Sequence, residues 1–179
     1  AHGWTRDLPE SSPLFEKTDE DHFEAYRFIL PGYNLRPLEL SGAIGREQLK
    51  RLPEMTLERR KNLAVFQSLF AGDDRFLIQR EHGKSSAFAF TIILNPDFNL
   101  NRKQIFNRLR EAGIGFRIIT GGCFLKHDVL KHFDYEIFGK IKNGFIAHNS
   151  GFFVGNHPKP IEPQIRKLYA VLDETCKEG

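Results

Sequence analysis

The chain has 179 residues, of which 40% are hydrophobic and 27% are charged, a balance typical of a globular protein of one domain or slightly more. Its formal charge is only +3 and its basic residues are dispersed along the chain, which argues against a nucleic-acid partner, because such a partner requires a clustered basic face. No apolar run reaches the roughly 20 residues of a membrane helix, so no membrane insertion is expected. With only 2 cysteines, a disulfide scaffold is excluded and a reducing, cytoplasmic setting is favoured.

The first 34 residues show no regular periodicity. Pro9 and Pro13 interrupt any early element, and an acidic stretch and then an aromatic run follow them before Pro31. This composition predicts an irregular arm over residues 1–34 that lies on another surface. The sequence begins without methionine and without a signal peptide, so we expect it to be a piece of a longer protein.

A second domain, residues 35–179, is expected to open with a pair of helices. The first covers residues 35–52 and is entered through Pro37, a residue suited to a first helical turn. The second covers residues 53–70, because Pro53 is expected to start a new helix rather than continue the first. The positions of the second helix predicted to face the core are Leu57, Leu63, Ala64, Phe66 and Leu69.

Strand patterns and helical patterns alternate after this pair. Strands are predicted over 76–79, 87–94, 114–119 and 152–154, and helices over 101–112, 129–133, 139–147 and 163–175. Asn101 suits a helix N-cap, and Gly113 suits the end of the same helix. The order predicts an α+β fold with a small antiparallel-type sheet covered by helices on one face.

One cluster of residues could bind a metal. It consists of Cys123, His127, Asp128 and His132, and a thiolate with two imidazoles is a possible zinc ligand set. The spacing is not that of a familiar zinc motif. We therefore expect no metal site and interpret these histidines as polar or substrate-facing side chains.

The most informative segment is 32–37, Gly-Tyr-Asn-Leu-Arg-Pro. Asn34 offers an amide donor at a helix entrance, where unpaired N–H groups favour phosphate. Arg36 offers a planar fork for phosphate or carboxylate. A turn, a cap and a surface arginine would explain the same residues. The loop 120–122, Thr-Gly-Gly, is similarly open to two interpretations, an ordinary turn or a backbone N–H site for an anionic or hydroxylated ligand.

Several motifs resemble the DegT/DnrJ/EryC1/StrS family of nucleotide-sugar aminotransferases, fold-type I enzymes that use pyridoxal or pyridoxamine phosphate. They are the entry at 32–39, the small-residue helix at 42–53 and the basic Arg-Arg-x-Asn helix at 59–62. The resemblance covers essentially the whole chain as the C-terminal part of a member, which implies a C-terminal fold-type I domain with interdomain helices. Segments 2–9 and 120–126 are most similar to the branch of 4-keto-6-deoxy-sugar 3-dehydratases.

The resemblance also implies roles for individual residues. Family members are homodimers whose active sites take residues from both subunits, so the arm 1–34 would contribute dimer contacts. Asn34 would reach the coenzyme phosphate of the neighbouring subunit. The residues implied to bind or border the substrate are Arg36, Arg117, Thr120, Gly121 and Phe124.

The implied activity is C3 deoxygenation of a nucleotide-linked 4-keto-6-deoxyhexose in deoxysugar and O-antigen (lipopolysaccharide) biosynthesis. A sugar-nucleotide aminotransferase of the same family is an alternative, and a non-catalytic sugar-nucleotide or protein-interaction module is an alternative of another class. In this family the coenzyme-linked lysine, or the histidine that replaces it, lies upstream of the part that this chain resembles. No catalytic residue is therefore expected here, and the chain alone is expected to be inactive.

Overall fold

The computed structural model describes residues 8–15, 29, 38–119 and 122–177, with the backbone alone at 128 and 129. The chain separates into two compact units, Ala1–Lys50 and Arg51–Gly179. In the first unit, the regular structure that is described is the beginning of a long helix. The prediction of an irregular arm over 1–34 falls mostly outside the described residues, and its described part, 8–15, forms turns.

The first helix, α1, is a single element where the sequence analysis predicted two. It runs over Glu39–Phe70 with Pro53 in its interior, so the predicted helix pair is wrong. A proline costs a helix interior about 3 kcal/mol, but residues of high helix propensity flank Pro53 on both sides. Packing of the last turns also stabilises the element, since tertiary contacts supply most of the stability of helices in proteins.

The two ends of α1 differ in burial. All residues from 38 to 54 are exposed, whereas Asn62, Phe66 and Phe70 are buried at a spacing of four residues. Leu57 and Ala64 were predicted to face the core but are exposed. At 3.6 residues per turn both lie on the side of α1 opposite Phe66, which is the physical reason for the error.

The sheet has four strands in the order β1-β2-β4-β3, and every neighbouring pair is antiparallel. The strands are β1 (Phe76–Ile78), β2 (Ala89–Leu94), β3 (Phe116–Ile118) and β4 (Gly151–Gly155). Residues that alternate along β2 belong to opposite faces, so Phe90, Ile92 and Leu94 are buried while their neighbours are only partly so.

Three further α-helices belong to the described fold: α2 (Arg102–Glu111), α3 (Lys142–Ser150) and α4 (Glu162–Lys177). The predicted helix 129–133 is a short 3-10 helix, Asp128–His132. Asn101 caps α2 by accepting the Gln104 N–H at 3.2 Å, as predicted. Buried side chains of α1, α2, α4 and one sheet face form the core, as in the stacked pair Phe66 and Phe90, whose ring centroids are 4.6 Å apart. The predicted α+β class with a small antiparallel sheet is confirmed.

Hydrogen bonds of two buried asparagines connect α1 to the segment after β4. Asn62 Nδ2 donates to Asn156 Oδ1 at 3.2 Å and to the carbonyls of His157 and Lys159 at 3.0 and 2.8 Å. Asn156 Nδ2 donates to the carbonyls of Arg59 and Ala87. Both amides are 3% exposed, so these bonds satisfy groups that water does not reach.

A charged cluster joins the start of β1 to the end of α4. Arg75 donates through Nη2 to Asp73 Oδ2 and Asp173 Oδ1, each at 2.7 Å. Tyr169 donates its hydroxyl to Asp73 Oδ2 at 3.0 Å. The cluster connects residues almost one hundred positions apart, so it stabilises the tertiary fold rather than a single element. Within the ranges that the structure describes, no helix combines the length and apolar character needed to cross a membrane.

Candidate functional site

The sheet face that carries Arg117 is opposite the buried core face. Arg117 pairs with Phe153 across β3 and β4, and Phe153 pairs with Thr91 of β2. The alternation of the strands puts these three side chains on one face. At the Gly155 end lies a concavity of about 340 Å³, lined by Phe88, Gly115, Phe116, Arg117, Phe153 and Gly155.

Arg117 lies in this concavity without an anionic partner among the described residues. Its side chain is exposed, and no described residue offers its guanidinium a carboxylate or a hydrogen-bond acceptor. Phe88 nearby is 75% exposed. A guanidinium binds phosphate or carboxylate through two parallel N–H bonds, and an exposed aromatic ring offers a flat apolar surface. The concavity is therefore suited to an anionic ligand with an apolar or planar part.

The segment after β3 leads to Phe124, a second residue implied to bind substrate. Phe124 begins a short 3-10 helix, Phe124–Lys126, and is 58% exposed. Its ring centroid lies 5.2 Å from that of His127. The preceding residue, Cys123, is buried, and its backbone N–H donates to Nδ1 of His148 at 3.3 Å. Phe124 thus projects from a segment whose backbone is fastened to α3.

The other predicted site residues lie outside the described residues. These are Asn34, Arg36, Thr120 and Gly121. Their assigned roles, like those of Arg117 and Phe124, stay predictions. The structure adds that Arg117, within β3, and Phe124, seven residues further along the chain, are both exposed.

The cysteine and histidine cluster considered for zinc does not form a ligand set in the described part of the chain. No group of three or more histidine, cysteine or acidic side chains there is arranged to hold a metal ion. Cys123 instead contacts His148, which is 25 positions away and was not singled out in the sequence. No local motif marks His148, because its bonding partner lies on a different segment of the chain.

Three comparisons with known proteins bear on this site. A profile of the DegT/DnrJ/EryC1/StrS aminotransferase family matches residues 13–148. A GDP-4-keto-6-deoxy-D-mannose 3-dehydratase from Yersinia pseudotuberculosis is 46% identical over 174 residues, which are 96% of this chain and 44% of that protein. Transaminases among the relatives align with a smaller part of the chain.

Solved structures give the same result. The Escherichia coli GDP-4-keto-6-deoxy-D-mannose 3-dehydratase with bound hydrated PLP matches with a TM-score of 0.83 and 45% identity, over 96% of this chain and 45% of that one. A mutant GDP-4-keto-6-deoxymannose 3-dehydratase with bound GDP-perosamine matches with a TM-score of 0.82 and 45% identity, over the same shares. This chain spans less than half the length of these relatives. It belongs to the DegT/DnrJ/EryC1/StrS aminotransferase family.

Proposed function

We propose that this chain forms the C-terminal part of a pyridoxal- or pyridoxamine-phosphate-dependent enzyme that removes the C3 oxygen of a nucleotide-linked 4-keto-6-deoxyhexose. The observation that carries the proposal is the alignment of almost the whole chain with dehydratases of this specificity. In sequence, a transaminase relative aligns with only about half of it, at 33% identity, and a solved aminotransferase that covers 86% of it is only 17% identical, so the dehydratase is favoured over an aminotransferase. The reaction would serve deoxysugar and lipopolysaccharide O-antigen synthesis.

The described residues suit the substrate side of such an active site. The Arg117 guanidinium would bind the phosphates of the nucleotide sugar, because it has no anionic partner in the described part of the chain. Phe88 and Phe153 would supply apolar contact beside it, and Phe124 would border the same substrate from the segment after β3. A concave surface with one cation and aromatic walls fits a ligand of this chemistry.

The coenzyme is the second part of the proposal. Its phosphate would be held by Asn34, and Arg36 would lie near the sugar nucleotide, both acting in the neighbouring subunit of a homodimer. When bound, the coenzyme supplies an electron sink for the charge that develops when a proton is removed beside it. The residues of this chain bind and orient the substrate, and none of them is assigned the proton transfer.

A homodimer and a cytoplasmic location complete the proposal. The exposed apolar side chains at the start of α1, such as Leu49 at 65% and Leu52 at 50%, support association, because residues three apart are neighbours on a helix surface and contiguous exposed apolar surface marks interaction sites. Both cysteines, Cys123 and Cys176, are free, which agrees with a reducing compartment.

The test uses the full-length protein that contains this chain, loaded with coenzyme and supplied with glutamate and GDP-4-keto-6-deoxymannose. Mass spectrometry of the sugar product distinguishes the candidates. A product that has lost one oxygen atom supports the dehydratase, and a product whose keto oxygen is replaced by an amino group would identify an aminotransferase. Absence of both products would favour the non-catalytic module.

The role of Arg117 has its own variant in the same assay. We expect Arg117→Ala to raise KM for the nucleotide sugar about 10- to 100-fold, because a charge-assisted hydrogen bond contributes about 1.5–3 kcal/mol. Arg80→Ala is the matched control, since Arg80 is also an exposed arginine but lies outside the concavity. An equal KM in both variants would remove Arg117 from the substrate site.

A further inference from the structure

Helix α3 carries a histidine that contacts the segment leading to Phe124. Nδ1 of His148 accepts the backbone N–H of Cys123 at 3.3 Å. The histidine is itself held at its backbone, where its carbonyl accepts a hydrogen bond from Arg102 Nη1 at 2.9 Å. Nδ1 can accept this bond only when it carries no proton, so the bond requires the form of the imidazole with its proton on Nε2. The imidazole is therefore a fixed acceptor for a backbone amide of the segment.

Glycines allow the segment to approach α3 closely. A Cβ on Gly122, which has φ of +50°, would collide with the His148 ring. A Cβ on Gly144, one helical turn before His148, would lie 3.6 Å from Cys123 Sγ. Residues four apart share a helix face, so Gly122 and Cys123 lie directly on the face of α3 formed by positions 144 and 148. This steric contact is independent of the hydrogen bond.

A third contact fixes the other end of the segment. Ile119, the residue after β3, packs so closely on Gly151 at the start of β4 that a Cβ there would overlap its side chain. The stretch that contains both Arg117 and Phe124 is thus fastened at Ile119 and again at Cys123. The second fastening depends on the His148 acceptor.

We propose that His148 is a positioning residue, which holds the Gly122–Cys123 backbone through its neutral imidazole and so places Phe124 for the nucleotide-sugar substrate. The holding of the backbone stands on the geometry of this chain alone. The consequence for substrate rests on the proposed function, in which Phe124 borders the substrate.

The buried Cys123 thiol, 4% exposed, reports whether the segment is held. In a Cys176→Ser background Cys123 is the only thiol, and its alkylation by iodoacetamide can be timed at constant pH. We expect His148→Leu to speed alkylation about 10-fold or more. Without the acceptor, the buried Cys123 N–H is unpaired in the held segment, which costs about 1–3 kcal/mol and favours opening of the segment. His148→Asn can place an amide oxygen near the Nδ1 position. Because the acceptor is retained, its alkylation rate should stay within about 2-fold of the parent rate.

Controls separate holding from general destabilisation. His132→Leu removes an exposed histidine and should leave the alkylation rate unchanged, and urea midpoints are measured for every variant. If His148→Leu does not fold, His148→Gln replaces it, because its acceptor lies one bond further from the backbone. The proposal would be overturned if His148→Leu, or the glutamine variant used in its place, were alkylated at the parent rate. It would also be overturned if that variant and His148→Asn were alkylated at the same rate.

The substrate consequence is measured in the coenzyme-loaded full-length protein. We expect His148→Leu to raise KM for GDP-4-keto-6-deoxymannose several-fold, with kcat less affected, and His148→Asn to restore KM. An unchanged KM alongside fast alkylation would overturn the substrate role of His148. An inactive unsubstituted protein would instead refute the proposed function, and the alkylation rates would still decide whether His148 holds the segment.

Discussion

At the scale of single residues, Asp73 shows how one side chain joins distant parts of the chain. It accepts hydrogen bonds from the Arg75 backbone N–H, Nε and Nη2 and from the Tyr169 hydroxyl. The bonds from Arg75 lower the pKa of the Asp73 carboxyl below its ordinary value, although burial acts in the opposite direction. Burial, together with the bond to Asp73, raises the pKa of Tyr169.

The lowered pKa of Asp73 predicts a pH-dependent contribution to stability. Because its folded pKa lies below the ordinary value of 3.8, the contribution is present above that pH and is lost as pH falls through the folded pKa. We expect Asp73→Asn to cost about 2 kcal/mol of unfolding free energy at neutral pH, and the difference from the parent to shrink in acid. Urea unfolding from about pH 7 down to about pH 2 measures it.

The control for this prediction is Asp134→Asn, because Asp134 is exposed. Its unfolding free energy should stay within about 0.5 kcal/mol of the parent across the same pH range. If the deficit of Asp73→Asn were constant down to the lowest pH, the loss would reflect packing of the amide rather than the charge of the carboxylate.

Residues with local roles were predictable, and those with distant partners were not. Asn101 was identified as a helix cap because its partner is the amide three residues on. In the sequence, Asn62 and Asn156 cannot be told from ordinary surface asparagines, because the bond between them joins positions 94 apart. His148 escaped notice for the same reason. Local patterns cannot reveal a bond whose partner is set by the tertiary fold.

At the scale of elements, α1 shows how weak a local rule becomes in a long helix. Pro53 is a strong signal for a helix start, and the helix nevertheless passes through it. A proline removes one backbone hydrogen bond and crowds the carbonyl four residues earlier. The strands and later helices were predicted within a few residues of their observed bounds, because their hydrophobic periodicity agrees with the sheet and core that they form.

The position of Pro53 predicts that its replacement stabilises the chain. Pro53→Ala should raise the unfolding free energy by up to about 2 kcal/mol. Alanine is favoured over proline in a helix interior by up to about 3 kcal/mol, and the greater flexibility of the unfolded variant offsets about 0.4–1 kcal/mol of this gain. Thermal and urea unfolding measure the gain. Pro163→Ala is the matched control, since Pro163 lies in the first turn of α4, where the missing N–H has no helical partner. A gain as large in the control would contradict the explanation.

At the scale of the whole molecule, the fold class could be predicted while the candidate site could only be indicated. The order of elements was sufficient for an α+β fold with one small sheet. The concavity at Arg117, in contrast, is formed by residues of β3 and β4 and by the residues that immediately precede β2 and β3. Which residues line it depends on strand order and register, and one residue of slip would turn Arg117 to the other face.

The exposure of α1 predicts uneven protection of its amides from hydrogen exchange. Every residue from 38 to 54 is exposed, and a helical stretch of this length is only marginally stable without tertiary packing. The turns that carry Asn62, Phe66 and Phe70 are packed into the core. At concentrations where light scattering shows a monomer, we expect amides of 39–50 to exchange at least about 100-fold faster than those of 62–70.

Mass spectrometry of proteolytic peptides measures both regions in one sample, and α4 supplies the internal reference because its buried residues, such as Leu168 and Leu172, belong to the same core. Equal protection along α1 in the monomer would contradict the prediction and would mean that another part of the chain covers residues 39–50. Protection that rises there with protein concentration, while 62–70 stays unchanged, would indicate that a second copy covers the exposed leucines. Such an outcome would support the homodimer on grounds separate from any measurement of activity.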